Sequence, residues 1–151
     1  MLAVTACVHH TVPTAPTAAV AFERRISPFP VLDSTGHPYA LPFLGGFEHP
    51  RPQLVDIDGD GVNELFIQEN SNDLALFQRT AAGWILTTER YENLTIGEWY
   101  RFADIDGDGL VDLFTESPLS YIRYYRNVGT RSAAGFVVAA DTLRDVGGQA
   151  I

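Results

Sequence analysis

From Gln53 to Ala140 the apolar residues come in short runs broken by Gly, Asn, Asp and Ser, and the order of runs repeats. Runs of this length, rich in Leu, Ile, Val, Phe and Tyr, suit half-buried strands. The first set predicts strands from Gln53 to Asp56, Leu65 to Gln68, Leu74 to Arg79 and Trp84 to Thr88. Turns at Asn70-Ser-Asn-Asp73 and Ala81-Ala-Gly83 separate them. The second set predicts strands from Tyr100 to Asp104, Leu113 to Glu116, Tyr121 to Arg126 and Phe136 to Ala140, with a longer turn over Asn127 to Gly135. The register holds in detail, since Leu65-Phe66 matches Leu113-Phe114 and Leu76-Phe77-Gln78 matches Tyr124-Tyr125-Arg126. Ahead of the repeats, Phe29 to Leu32 and Tyr39 to Leu44 predict two more short strands around an Asp33-Ser-Thr-Gly36 turn. Regular structure is expected from near Phe22. Pro28, Pro30, Pro38, Pro42, Pro50 and Pro52 forbid helix through this region.

A four-strand unit recurring every 40–50 residues or so is the signature of a β-propeller blade. One such sheet cannot bury both faces alone and must stack on a neighbour. The predicted fold is therefore all-β, with about two blades of four antiparallel strands belonging to a larger ring. Residues 1–21 read as a signal remnant and linker, and residues 22–151 as a partial propeller with repeats near 50–97 and 98–145.

Each repeat carries the same acidic loop. The copies are Asp56-Ile-Asp58-Gly59-Asp60-Gly61-Val62-Asn63-Glu64 and Asp104-Ile-Asp106-Gly107-Asp108-Gly109-Leu110-Val111-Asp112, their first aspartates 48 residues apart. Carboxylates at alternate positions can face one ion if the backbone curls around it. A carbonyl at the seventh position and an acid at the ninth can complete the shell of oxygens that calcium prefers. The candidate ligands are Asp56, Asp58, Asp60, the Val62 carbonyl and Glu64, then Asp104, Asp106, Asp108, the Leu110 carbonyl and Asp112. Two calcium sites are expected. A single Asp-Gly-Asp-Gly run is also an ordinary surface turn. Two copies in register, with matching apolar flanks, argue against that reading, and so many carboxylates in one turn repel each other without a cation. An EF-hand needs a bidentate acid at position twelve; here that position holds Ile67 and Thr115.

Composition sharpens this picture. The chain has 151 residues, 46% hydrophobic, and a net charge of −9. Eight of its nineteen acids lie in the two loops. Two bound calcium ions would bring the balance to −5, so the acidity reads as demand for metal rather than attraction to a basic partner. Basic clusters of the kind that bind nucleic acid are absent, and no apolar run approaches the roughly 18 residues of a spanning helix. His9, His10, His37 and His49 show no metal-binding spacing. The single cysteine, Cys7, excludes an internal disulfide. Val4-Thr5-Ala6-Cys7 resembles a bacterial lipobox followed by a Thr/Pro/Ala-rich tether, although the stretch before it is too short for a signal peptide. Two alternatives stand: the true start lies upstream, or the likeness is chance. A lipid on Cys7 is the one membrane link expected.

Leu54-Val-Asp-Ile-Asp-Gly-Asp-Gly-Val-Asn-Glu-Leu-Phe-Ile67 and Phe102-Ala-Asp-Ile-Asp-Gly-Asp-Gly-Leu-Val-Asp-Leu-Phe114 resemble FG-GAP/VCBS repeats, which occur in integrin α-subunit propellers and bacterial surface proteins. Phe43-Leu-Gly-Gly-Phe47 is a looser echo, and Tyr124 to Thr130 with Phe136 resembles the outer half of such a blade. The resemblance implies an ion in the hairpin between the first two strands of each blade, and closure with about seven blades. A next loop is due at position 152, so the chain reads as a fragment with open sheet edges. The expected function is a non-catalytic, calcium-binding propeller, extracellular or at the cell surface or in the periplasm, for adhesion or for binding a protein or glycan. Alternatives are the propeller portion of a carbohydrate-active enzyme, such as a polysaccharide lyase, and a surface scaffold. Glu98, Trp99, Tyr100 and Arg101 are the sole candidates for a sugar-stacking group, against a reading in which the aromatics pack between blades. No residue is assigned a catalytic role.

Overall fold

In a computed structural model the described residues are 25–151, and their regular structure begins at Arg51. Eight strands follow: β1 (Arg51–Val55), β2 (Glu64–Gln68), β3 (Leu74–Thr80), β4 (Gly83–Thr88), β5 (Tyr100–Ala103), β6 (Asp112–Ser117), β7 (Tyr121–Asn127) and β8 (Phe136–Ala140). They form two four-stranded antiparallel sheets, β1-β2-β3-β4 and β5-β6-β7-β8. These are two propeller blades whose ring is not closed. The predicted strands lie where the runs of apolar residues placed them, with ends moved by a residue or two. Gly83 opens β4 instead of closing the turn. The blades match even in their irregularities: the third strand of each is bulged against the fourth, at Leu76/Phe77 and at Tyr124/Tyr125.

The front segment corrects the prediction. Phe29 to Leu32 and Tyr39 to Leu44 are not strands; one isolated bridge, Leu32 to Pro38, joins them around the expected turn. Pro30, Pro38 and Pro42 lack the N–H that a ladder needs, and Phe29, Leu32 and Tyr39 remain mostly exposed. The turn itself is tight. Asp33 Oδ1 accepts hydrogen bonds from the Thr35 hydroxyl and from the Thr35 and His37 N–H groups. Those bonds, the Thr35 hydroxyl first, lower the pKa of its carboxyl. The expected start near Phe22, the 1–21 linker, Cys7, His9 and His10 lie outside the described residues. At the other end, Ile122 extends its pairing past β8. Its carbonyl accepts from Leu143 N–H and its own N–H donates to Ile151.

The core lies between the two sheets. Phe66 on β2 is 0 % exposed, and its ring centroid lies 4.6 Å from that of Phe102 on β5 and 5.0 Å from that of Tyr91. Ile57, Leu74, Leu76, Ile96, Tyr100, Leu113 and Tyr125 complete the cluster. Polar side chains then stitch the sheets. The Gln53 amide donates to the Phe102 carbonyl and accepts from its N–H, each at 3.0 Å, as a backbone strand would. Gly97 N–H donates to the buried Thr115 hydroxyl, which donates to the Trp99 carbonyl. A Cβ on Gly97 would meet Glu116 at 2.5 Å, so this close approach requires glycine.

The buried Tyr100 hydroxyl lies 2.9 Å from both the Arg51 and the Phe66 carbonyls, tying β5 to β1 and β2. Its single proton serves one of them at a time, and burial pushes its pKa well up. Tyr100→Phe should lower stability by about 1–2 kcal/mol, the cost of an unmet buried acceptor. Thermal unfolding checks this; an unchanged melting temperature would mean that the hydroxyl holds nothing.

Candidate metal centre

The acidic loops are the β1–β2 and β5–β6 hairpins, and local bonds shape them alike. In the first, Asp58 Oδ1 accepts from Asp60 N–H at 3.2 Å, Asp60 Oδ1 from Val62 N–H at 2.7 Å, and Asp56 Oδ2 from Gly61 N–H at 3.0 Å. In the second, Asp106 Oδ1 accepts from Asp108 N–H at 3.2 Å, Asp108 Oδ1 from Leu110 N–H at 2.9 Å, and Asp104 Oδ2 from Gly109 N–H at 3.0 Å. Gly59, Gly61, Gly107 and Gly109 all take positive φ, which the curl demands. At Gly59 space matters too. An added Cβ would lie 2.8 Å from the Arg131 carbonyl, which the long β7–β8 turn lays over the first hairpin.

The two hairpins then diverge. Asp56, Asp58 and Glu64 bring one oxygen each within 4.8 Å of one another, with Asp60 outside the group. Glu64 is buried and accepts the Ile57 N–H at 3.0 Å. Burial raises its pKa against that bond, and the charges of Asp58 and Asp60 add to the rise. Asp56 Oδ1 is buried and meets no hydrogen-bond donor. In the second hairpin Asp104, Asp106 and Asp108 form the group of three, and all are exposed. Asp112 is not drawn in. Its Oδ2 accepts the Tyr124 hydroxyl and its Oδ1 the Asn127 N–H, each at 2.9 Å. The Arg126 guanidinium reaches into the group instead, 2.6 Å from Asp106 Oδ2 and 3.4 Å from Asp108 Oδ2. Of Val62 and Leu110 the structure shows the N–H at work, anchoring Asp60 and Asp108.

These donor sets fit a hard divalent cation. They offer oxygen alone, in groups small enough for one ion to touch three carboxylates, and the first leaves a buried carboxylate oxygen unmet. Residues 56–115, from the first aspartate of one hairpin through the whole of the other, match the FG-GAP-like repeat family. That stretch of the chain carries an FG-GAP-like repeat. No curated protein and no solved structure matches it.

Three residues beyond the matched FG-GAP-like stretch carry weight at the site without a ligand role assigned from sequence: Tyr124, Arg126 and Asn127. Their signal was present in the register that sets Gln78 against Arg126. Their action became visible only once the sheet pairing placed β7 beside β6. Of the candidate sugar-stacking group, Trp99 is half-buried and Arg101 exposed. Tyr100 is buried between the sheets, and Glu98 accepts from the Ser71 hydroxyl.

Proposed function

We propose that this chain is a calcium-binding, non-catalytic propeller module of an extracellular or cell-surface protein, which offers its exposed loops to a protein or glycan partner. The observation that carries the reading is the first hairpin, where three carboxylates converge and a buried oxygen of Asp56 has no donor. A divalent cation supplies what that arrangement lacks. Oxygen-only loops in extracellular modules bind calcium at about 10⁻⁴ to 10⁻³ M, a level suited to calcium-rich surroundings. The likeness to integrin α-subunit propellers favours a protein or glycan partner. Engagement of Tyr100 and Glu98 in bonds between elements favours binding over chemistry.

Calcium at about 100 times its dissociation constant should stabilise the folded chain by about 2.7 kcal/mol per site. Glu64→Gln should remove the share of the first hairpin. The sign of its pH effect is set by burial. The pKa of Glu64 is higher folded than unfolded, so its contribution favours folding in acid and is lost as pH rises through the folded value. In calcium-free buffer at neutral pH the glutamine variant should therefore be no less stable than the parent. Thermal unfolding with calcium and with a chelator reads both effects. A parent melting temperature indifferent to calcium would end the metal reading, and partner binding that survives chelation would detach recognition from the ion.

A further inference from the structure

The two hairpins share sequence and backbone bonds but not surroundings, and Arg126 makes the largest difference. It lies on β7, one step past the Leu113–Tyr125 pair, beside the position of Asp112 on β6. From there its guanidinium meets Asp106 and Asp108, two of the three carboxylates in the second group. The same place in the first blade, one step past the Leu65–Phe77 pair, holds the neutral Gln78. The Gln78 amide oxygen accepts the Thr87 hydroxyl rather than serving the loop. The ninth residue differs as well: Glu64 joins its group, whereas Asp112 is engaged by Tyr124 and Asn127.

We propose that Arg126 is a built-in counter-ion of the second hairpin, competing with calcium for Asp106 and Asp108, so that the first hairpin fills at lower calcium than the second. This rests on the calcium-binding reading given above. An arginine is charged at every physiological pH and clasps carboxylates through a planar fork. A divalent ion entering the group must displace that fork or bind beside a positive charge, and either lowers its affinity. The pair is partly exposed, so the penalty is a modest one. Without calcium the second hairpin keeps a neutralising charge; the first has none in the same place.

Nuclear magnetic resonance of the full chain, titrated with calcium chloride, resolves the hairpins separately through the amides of Gly59 and Gly61 and of Gly107 and Gly109. The first pair should reach its midpoint at a calcium concentration about three- to tenfold below the second. Arg126→Gln should shift the second midpoint down by about that factor and leave the first in place. Gln78→Arg, the reciprocal exchange, should raise the first midpoint. A second midpoint unmoved by Arg126→Gln, or coincident midpoints in the parent, would overturn the role of Arg126 while leaving calcium binding intact. Four glycine amides that ignore calcium in every variant would overturn both.

Discussion

Replacing Phe66 by alanine should destabilise the chain by about 3–5 kcal/mol, a large part of what holds a domain of this size together. No part of Phe66 is exposed, and its ring touches the rings of Phe102 and Tyr91 at the junction of the sheets. The backbone on either side is fixed by pairing with β1 and β3, so the walls cannot collapse into the space left behind. Phe114 holds the equivalent place in the second blade, 48 residues on, and makes a natural contrast. It is half-buried and stacked on Tyr124 at 4.9 Å, rather than enclosed by another sheet. Urea unfolding of the two alanine variants should show the Phe66 change costing clearly more. Equal losses would mean that each sheet is held by its own side chains and that the inter-sheet core contributes little.

How far these features could be read in the sequence depended on how local their causes are. The blade strands were legible because the apolar runs, the turn residues and the acidic loops all mark the same boundaries. The loop geometry was legible for a similar reason. Asp56, Asp58 and Asp60 bond to N–H groups two to five residues away, so the motif contains its own instructions. The front segment has the apolar content of strands, but its prolines lack the N–H groups that a ladder needs. The pairing of Ile122 with Leu143 and Ile151 carries no local pattern at all. Within the site, the contrast between Glu64 and Asp112 came from across the sheet. Leu76 stands in the first blade where Tyr124 stands in the second, and leucine has no hydroxyl to hold a carboxylate. A one-carbon difference in side-chain length and a hydroxyl opposite it therefore separate two loops whose motifs look interchangeable.

Asp112→Ala should cost about 3–5 kcal/mol without any calcium present, because the carboxylate braces the second blade. It is 0 % exposed, and each oxygen receives a hydrogen bond of 2.9 Å, one from the Tyr124 hydroxyl and one from the Asn127 N–H. Bonds to a charged acceptor contribute about 1.5–3 kcal/mol each, and the orphaned Asn127 N–H adds its own desolvation cost. The effect spreads through Asn127. Its amide oxygen accepts from Gly129 and Gly135 N–H and its amide nitrogen donates to the Val111 carbonyl, so it organises the long turn that lays Arg131 over Gly59. The milder Asp112→Asn separates the two roles open to this residue. Burial first, and then the adjacent Asp112 carboxylate, push the Tyr124 pKa up to about 12. Removing the charge should bring that value back toward the ordinary phenol range, which ultraviolet titration reads directly. A brace predicts this shift together with lower calcium-free stability. A metal ligand predicts unchanged calcium-free stability and a second hairpin that no longer saturates, and that outcome would make Asp112 a ligand rather than a brace.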